Sequence, residues 1–124
     1  MNVTFKQAIP VLHVSNSMEA EQFYCNQLGF QRRFAYRPFG GDDPCYMGLT
    51  REGALLHVSS FSGDGVSGGV VNFLVSDVDA FYAELVARGV VIDLEPTDQS
   101  WGNREMYVKD ADGNSLRFVR AAGG

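Results

Sequence analysis

The sequence predicts an α+β fold: two tandem βαβββ units forming a curved mixed sheet around a groove. Three observations predict it. A strand, a helix cap, an aromatic pair and a glycine recur in the same order. Ile9-Pro-Val-Leu-His-Val-Ser-Asn leads through Phe23-Tyr24 to Leu28-Gly29-Phe30, and Val70-Val-Asn-Phe-Leu-Val-Ser-Asp leads through Phe81-Tyr82 to Arg88-Gly89-Val90. Val14-Ser15-Asn16 falls on Val75-Ser76-Asp77, and Gly29 falls on Gly89 after one gap. The copies also end alike, since Arg51-Glu-Gly-Ala-Leu-Leu-His-Val aligns with Ala111-Asp-Gly-Asn-Ser-Leu-Arg-Phe and sets His57 opposite Arg117. Finally, the one glycine-rich stretch, 62–69, separates copy one (about 5–61) from copy two (about 70–120) in a single domain of 1–124. A duplicated unit of this kind suggests a groove between matching sheets that could hold a small molecule.

Each element has a local reason. Ala8 to Val14 is apolar at nearly every position, as in a strand buried on both faces. Asn16 with Glu19 three residues on is a capping-box-like start, and Gly29 is the C-terminal cap. Gln31 to Tyr36 reads as a strand, and Arg37 to Pro44 as a loop of turn-forming residues. Tyr46 to Arg51 and Ala54 to Phe61 form a hairpin about Glu52-Gly53. In the second copy, Val70 to Val75 is a strand and Asp77 caps a helix that ends at Arg88-Gly89. Val90 to Leu94 is a strand, Glu95 to Gly102 a loop, and Arg104 to Lys109 pairs with Asn114 to Val119 about Asp112-Gly113. The tail from Ala121 is expected to be disordered.

Composition narrows the function classes. Apolar content of 45% and charged content of 20% describe an ordinary globular chain. A formal net charge of −5 argues against a nucleic-acid partner, whose binding needs basic side chains on phosphates. Acidity serves solubility or attracts a cationic ligand; the sequence leaves both open. Cys25 and Cys45 stand in no metal-binding or redox spacing and read as free thiols. The N-terminal residues lack a signal-peptide pattern and no apolar run reaches the ~20 residues of a membrane span, so a cytoplasmic location with no membrane partner is expected.

Strand alternation sorts the side chains into two faces. Leu12, Val14, Leu56, Val58, Val71, Phe73, Met106, Val108, Leu116 and Phe118 should meet the helices. That leaves His13, His57, Ser59, Asn72, Glu105, Tyr107 and Arg117 on the groove face. Two histidines in different strands fall short of the three or four ligands of a stable metal site. No serine sits in a nucleophile elbow, and the glycine-rich linker precedes a strand, so it is no phosphate loop. An Arg-Glu pair beside aromatics suits binding and orientation better than bond-making. Trp101, the one tryptophan, is either a plug over the core or a stacking surface for a flat ligand.

With these residues in hand, the chain resembles the vicinal oxygen chelate superfamily of glyoxalases, extradiol dioxygenases and antibiotic-resistance proteins, most of all its bleomycin-resistance branch. Ile9-Pro10-Val11-Leu12, Phe23-Tyr24 with Leu28-Gly29-Phe30, and Trp101-Gly-Asn-Arg104-Glu105 followed by Asp110-Ala-Asp-Gly-Asn carry the resemblance over essentially the whole chain. The superfamily's metal-ligand positions would fall on Ile9, His57, Val70 and Arg117, of which only His57 could bind a metal. The resemblance therefore implies no metal or other cofactor and no catalytic residue. It implies a homodimer that exchanges its N-terminal strand near Pro10 and sequesters a bleomycin-like or other amphipathic aromatic compound between subunits. In such a crevice Trp101 matches the motif tryptophan, and Phe39, Tyr46 and Phe61 are candidate aromatics by position. The alternatives are a metal-dependent glyoxalase- or dioxygenase-type enzyme using His57, His13 and Glu105, and a metal-free isomerase or accessory domain.

Overall fold

The computed structural model describes residues 2–123. Eight strands and two helical segments follow in the order β1 (Val11–His13), α1 (Ser17–Glu21), β2 (Gln31–Tyr36), β3 (Tyr46–Arg51), β4 (Ala54–Ser59), β5 (Val70–Leu74), α2 (Val78–Ala87), β6 (Leu94–Asp98), β7 (Arg104–Lys109) and β8 (Ser115–Arg120). The strands form two four-stranded mixed sheets, β1-β4-β3-β2 and β5-β8-β7-β6. In each, the first strand runs parallel to the last and the remaining pairs are antiparallel. The βαβββ unit is thus present twice, with one sheet per copy.

The helix caps form as the sequence predicts. Asn16 accepts from the Glu19 amide at 2.9 Å and Asp77 from the Ala80 amide at 3.0 Å. Gly29 and Gly89, just past the helix ends, take φ of 78° and 76°, a left-handed conformation that glycine adopts without steric cost. The single gap between the copies also has a structural cause. From Gln22 to Gln27 the first helix continues as a π-helical turn, with the Leu28 amide bonded to the Phe23 carbonyl five residues back. A π-turn accommodates one residue more than an α-helix over the same rise. The segment from Asn16 to Gly29 is one residue longer than that from Asp77 to Gly89, and the turn absorbs it.

Leu12, Leu56, Val58, Val71, Phe73, Met106, Leu116 and Phe118 join Tyr24, Leu28 and Leu85 in one buried cluster spanning both copies. Four expectations need correction. β1 is shorter than Ala8 to Val14, and only the Pro10 carbonyl, bonded to the His57 amide at 2.9 Å, extends its ladder towards the N-terminus. β4 and β5 end one or two residues early. The sixth strand lies at Leu94–Asp98, where a loop was expected, and 90–93 is irregular. Pro96 argues against a strand from sequence, but β6 is an edge strand with a register shift between Leu94 and Thr97, where a missing amide is tolerated. The tail is tied down as far as Ala122, whose amide donates to Asn103 Oδ1 at 2.9 Å; Gly124 lies outside the described residues.

Two hydrogen-bonded clasps join the copies. At one, Asn114 is fully buried; its Oδ1 accepts from the Gly68 and Gly69 amides at 3.0 and 2.8 Å, and its Nδ2 donates to the His13 carbonyl and Asp110 at 2.8 and 2.9 Å. Asp110 also accepts from the Tyr24 hydroxyl at 2.7 Å, and Asp112 receives the Ser15 amide at 3.1 Å. At the other, Arg51 reaches across to Glu84 at 2.7 Å and to the Leu28 carbonyl at 2.8 Å. The Asp110 to Asn114 motif therefore serves the joint between copies.

Candidate functional site

On the first sheet, the face away from α1 carries a cluster of aromatic rings. Phe34 of β2 and Tyr46 of β3 are parallel to within 5° with centroids 6.3 Å apart. His57 of β4 meets both edge-on, at 5.5 and 5.2 Å. Tyr36 and Phe61 lie 6.2 Å apart and are parallel to within 16°. Phe34 is 44% exposed and Tyr36 is 58% exposed, so these rings present flat apolar surface to solvent. The cause of this layout is Gly48. Phe34 is its register partner on β2, and the Phe34 ring occupies the space a Gly48 side chain would fill.

The electrostatics of this face are set by His57 and Asp64. The Tyr46 hydroxyl and His57 Nδ1 are 2.8 Å apart, and burial holds the His57 pKa below its ordinary value. A neutral imidazole accepts the Tyr46 proton at Nδ1 and carries its own at Nε2. Burial, helped by the nearby Asp64 carboxylate, raises the Tyr46 pKa. Because His57 protonates more readily unfolded than folded, its contribution to stability is complete above about pH 6.5 and falls as pH drops through the histidine range. An NMR titration should place the His57 midpoint below 6.5, and Tyr46→Phe, which removes the donor to Nδ1, should move it upwards. An unshifted midpoint in both proteins would contradict the assignment.

On the second sheet, the matching face carries a chain of polar contacts over aromatics. Trp101 Nε1 donates to Glu105 Oε2 at 2.8 Å, and the Tyr107 hydroxyl donates to Glu105 Oε1 at 2.6 Å. Burial alone would raise the Glu105 pKa, but bonds from Tyr107, Trp101 and Asn103, with the Arg117 charge, hold it below the usual carboxylate value. The hydrogen bond to Glu105 raises the Tyr107 pKa in turn. The Arg117 guanidinium lies 4.6 Å from the Tyr107 ring centroid. Asn72 is the register partner of Arg117 on β5 and shares its face.

The sequence-derived candidates therefore fall into two sets, one per sheet, and do not converge on a single cleft of the chain. His13, Tyr46, His57 and Ser59 belong to the first sheet, with Phe61 just past β4, and Asn72, Glu105, Tyr107 and Arg117 to the second, with Trp101 in the turn before β7. Ser59 is fully buried, committed to Asp64 at 2.7 Å and to the Phe61 amide, and so does not face an open groove. His13 borders the 60–67 loop, and its Nδ1 is buried without a partner. Phe39 stands 76% exposed on the loop before β3, apart from the ring cluster. Trp101 is 61% exposed, which decides against the core plug. The sequence reading missed Phe34 and Tyr36; alternation along β2 pointed to them, but no motif did. The pairing of Arg117 with Glu105 is also corrected, since both Glu105 oxygens serve Trp101 and Tyr107.

The residues present do not fit a metal centre. Among the described residues, no three His, Cys, Asp or Glu side chains gather at one point. His57 Nδ1 is engaged by Tyr46, Val70 is aliphatic, and Arg117 would place a cation where a metal would sit. His13 and His57 lie on one sheet and Glu105 on the other, so the alternative ligand set is not assembled within the chain. Among the described residues, no helix is long and apolar enough to cross a membrane.

A fold of paired βαβββ units with an aromatic face and no assembled metal ligands defines a class that comparison with known proteins makes specific. A family profile described as "Glyoxalase superfamily protein" matches residues 1–124, and the chain belongs to that superfamily. Comparison with curated protein sequences finds no match. Among solved structures, the chain is similar to TnmS3, an antibiotic binding protein from Streptomyces sp. CB03234, at 25% identity and a TM-score of 0.77, covering 98% of this chain and 99% of that one. It is similar to a bleomycin resistance determinant encoded on the transposon Tn5, at 25% identity and a TM-score of 0.75, covering 94% and 98%. It also resembles a bleomycin-binding protein solved in complex with bleomycin, at 25% identity and a TM-score of 0.74, covering 94% and 99%. The likeness lies with the bleomycin-resistance branch.

Proposed function

We propose that this protein is a homodimer that binds a bleomycin-like or other amphipathic aromatic compound and holds it without changing it. The observation that carries this reading is the partly exposed aromatic face on which Phe34 and Tyr46 flank a neutral His57 and Tyr36 stacks with Phe61. Large rings left in solvent on a sheet face are costly unless something flat covers them. The antibiotic-binding character of TnmS3 and of the bleomycin-binding protein supports the ligand class. Two features support the dimer. Each sheet leaves one candidate face open, so two copies can set the aromatic face of one against the Trp101-Glu105-Tyr107-Arg117 face of the other. Residues 2–8 are exposed along their length, and Phe5 at 94% and Val3 at 81% are apolar side chains suited to packing on a partner. In this reading the arm crosses near Pro10, and the site residues are Phe34, Tyr36, Tyr46, His57, Phe61, Asn72, Trp101, Glu105, Tyr107 and Arg117.

Trp101 supplies the test. With one tryptophan in the chain, bleomycin titration should alter its emission, and Trp101→Ala should weaken binding roughly ten- to a hundred-fold, as stacking of ~1–3 kcal/mol implies. The melting temperature should fall only modestly, because the indole is mostly exposed and Glu105 keeps its bond from Tyr107. Light scattering should report a dimer at micromolar concentration. A monomer with unresponsive emission towards bleomycin and other flat amphipathic compounds would remove the reading.

A further inference from the structure

We propose that Arg117 and Asn72 together receive an acidic oxygen group of the ligand, so that, among the amphipathic aromatic compounds of the binding reading, this face prefers one bearing a carboxylate or an ionised phenol over a bleomycin-like cation. The inference rests on the binding reading above and names its ligand class. Arg32, Arg51, Arg88 and Arg104 each hold a carboxylate within 3.2 Å; Arg33, Arg37, Arg117 and Arg120 have none at ion-pair distance among the described residues, and of these Arg117 alone has a buried side-chain nitrogen without a partner. Glu105, whose ionised form the Arg117 charge helps to hold, takes its hydrogen bonds from Trp101 and Tyr107 and makes no ion pair with Arg117. Arg117 is half-buried on the second strand of its sheet, and its Nε is buried without a partner. Its guanidinium lies against the Tyr107 ring, which the bond to Glu105 holds in place.

A guanidinium positioned in this way offers a planar fork of donors suited to a carboxylate. Asn72, exposed on the neighbouring strand and in register, adds an amide donor beside it. The Glu105 carboxylate beside Tyr107 opposes an anion at short range, offset by the donors it already holds, while salt screens the field of the remaining net negative charge beyond about 8 Å at physiological ionic strength. The preference is therefore a contact effect, set by Arg117 itself.

Three probes of one ring system separate the possibilities: naphthoate, naphthalenemethanol and naphthylmethylammonium, titrated by NMR at neutral pH into the wild type, Arg117→Gln and Arg117→Lys. Naphthoate should bind the wild type at least about tenfold more tightly than the alcohol, the equivalent of ~1.4 kcal/mol. Arg117→Gln should close that gap, and Arg117→Lys should keep part of it, having the charge without the fork. Equal binding of naphthoate and alcohol, tightest binding of the ammonium, or a gap that survives Arg117→Gln would overturn the inference and leave the binding reading standing. If no probe binds the wild type, the inference falls, and the bleomycin titration above decides the binding reading separately. Should Arg117→Gln fail to fold, the wild-type selectivity and Arg117→Lys decide.

Discussion

Asn114→Ala should cost the fold about 3–5 kcal/mol, the largest stability loss expected from any single polar residue in the chain. The side chain is fully buried and makes four hydrogen bonds, two with the linker amides of Gly68 and Gly69, one with His13 and one with Asp110. Alanine leaves the linker amides and the His13 carbonyl without their partner in a region water reaches poorly, and each unmet buried group costs ~1–3 kcal/mol. Asp110 loses less, because it keeps the Tyr24 hydroxyl and the Asp112 and Asn114 amides. Since a domain of this size is stable by only ~5–15 kcal/mol, the change removes a large share of the whole. Urea unfolding should show a lower midpoint with an unchanged slope. A loss under about 1 kcal/mol would mean that the clasp does not hold the copies together.

Gly48→Ala should have the largest effect on ligand binding for the smallest change in the chain. A Cβ at Gly48 would collide with the Phe34 ring. That ring is partly exposed and can swing out into solvent, so the stability cost should be modest, about 1–2 kcal/mol. Binding should suffer more, because Phe34 leaves its place beside Tyr46 and His57 and the flat surface is broken. With stacking worth ~1–3 kcal/mol, bleomycin affinity should fall roughly ten- to a hundred-fold. Phe34→Ala should give a similar loss without the clash. Full affinity in both variants would show that the ligand sits elsewhere.

These two residues mark the divide between what local pattern announces and what it hides. Asn114 sits in a motif that the sequence singled out, yet its role is to join the copies, because its partners lie in the linker and in β1, forty-five to about a hundred residues away. Gly48 carried no signal at all. Only the register of β2 against β3 reveals that a ring from one strand fills the space above a glycine on the next.

By itself the sequence determined the duplication, the two helix caps and their glycine ends, and the inward and outward faces of the strands. All of these depend on residue type and short-range periodicity, which a chain carries without folding. The one-residue gap between the copies was also legible, although its consequence, a π-helical turn, was not. Tertiary structure alone decided the rest. Pairing divided the strands into two sheets and so parted His57 from Arg117, which the repeat had set opposite one another. It placed β6 at an edge where Pro96 is tolerated, and it gave the Glu105 oxygens to Trp101 and Tyr107 while setting the Arg117 guanidinium over the Tyr107 ring. Each outcome depends on which strand lies beside which. Hydrogen bonds between residues distant in sequence fix that choice, and the local pattern of either partner does not contain it.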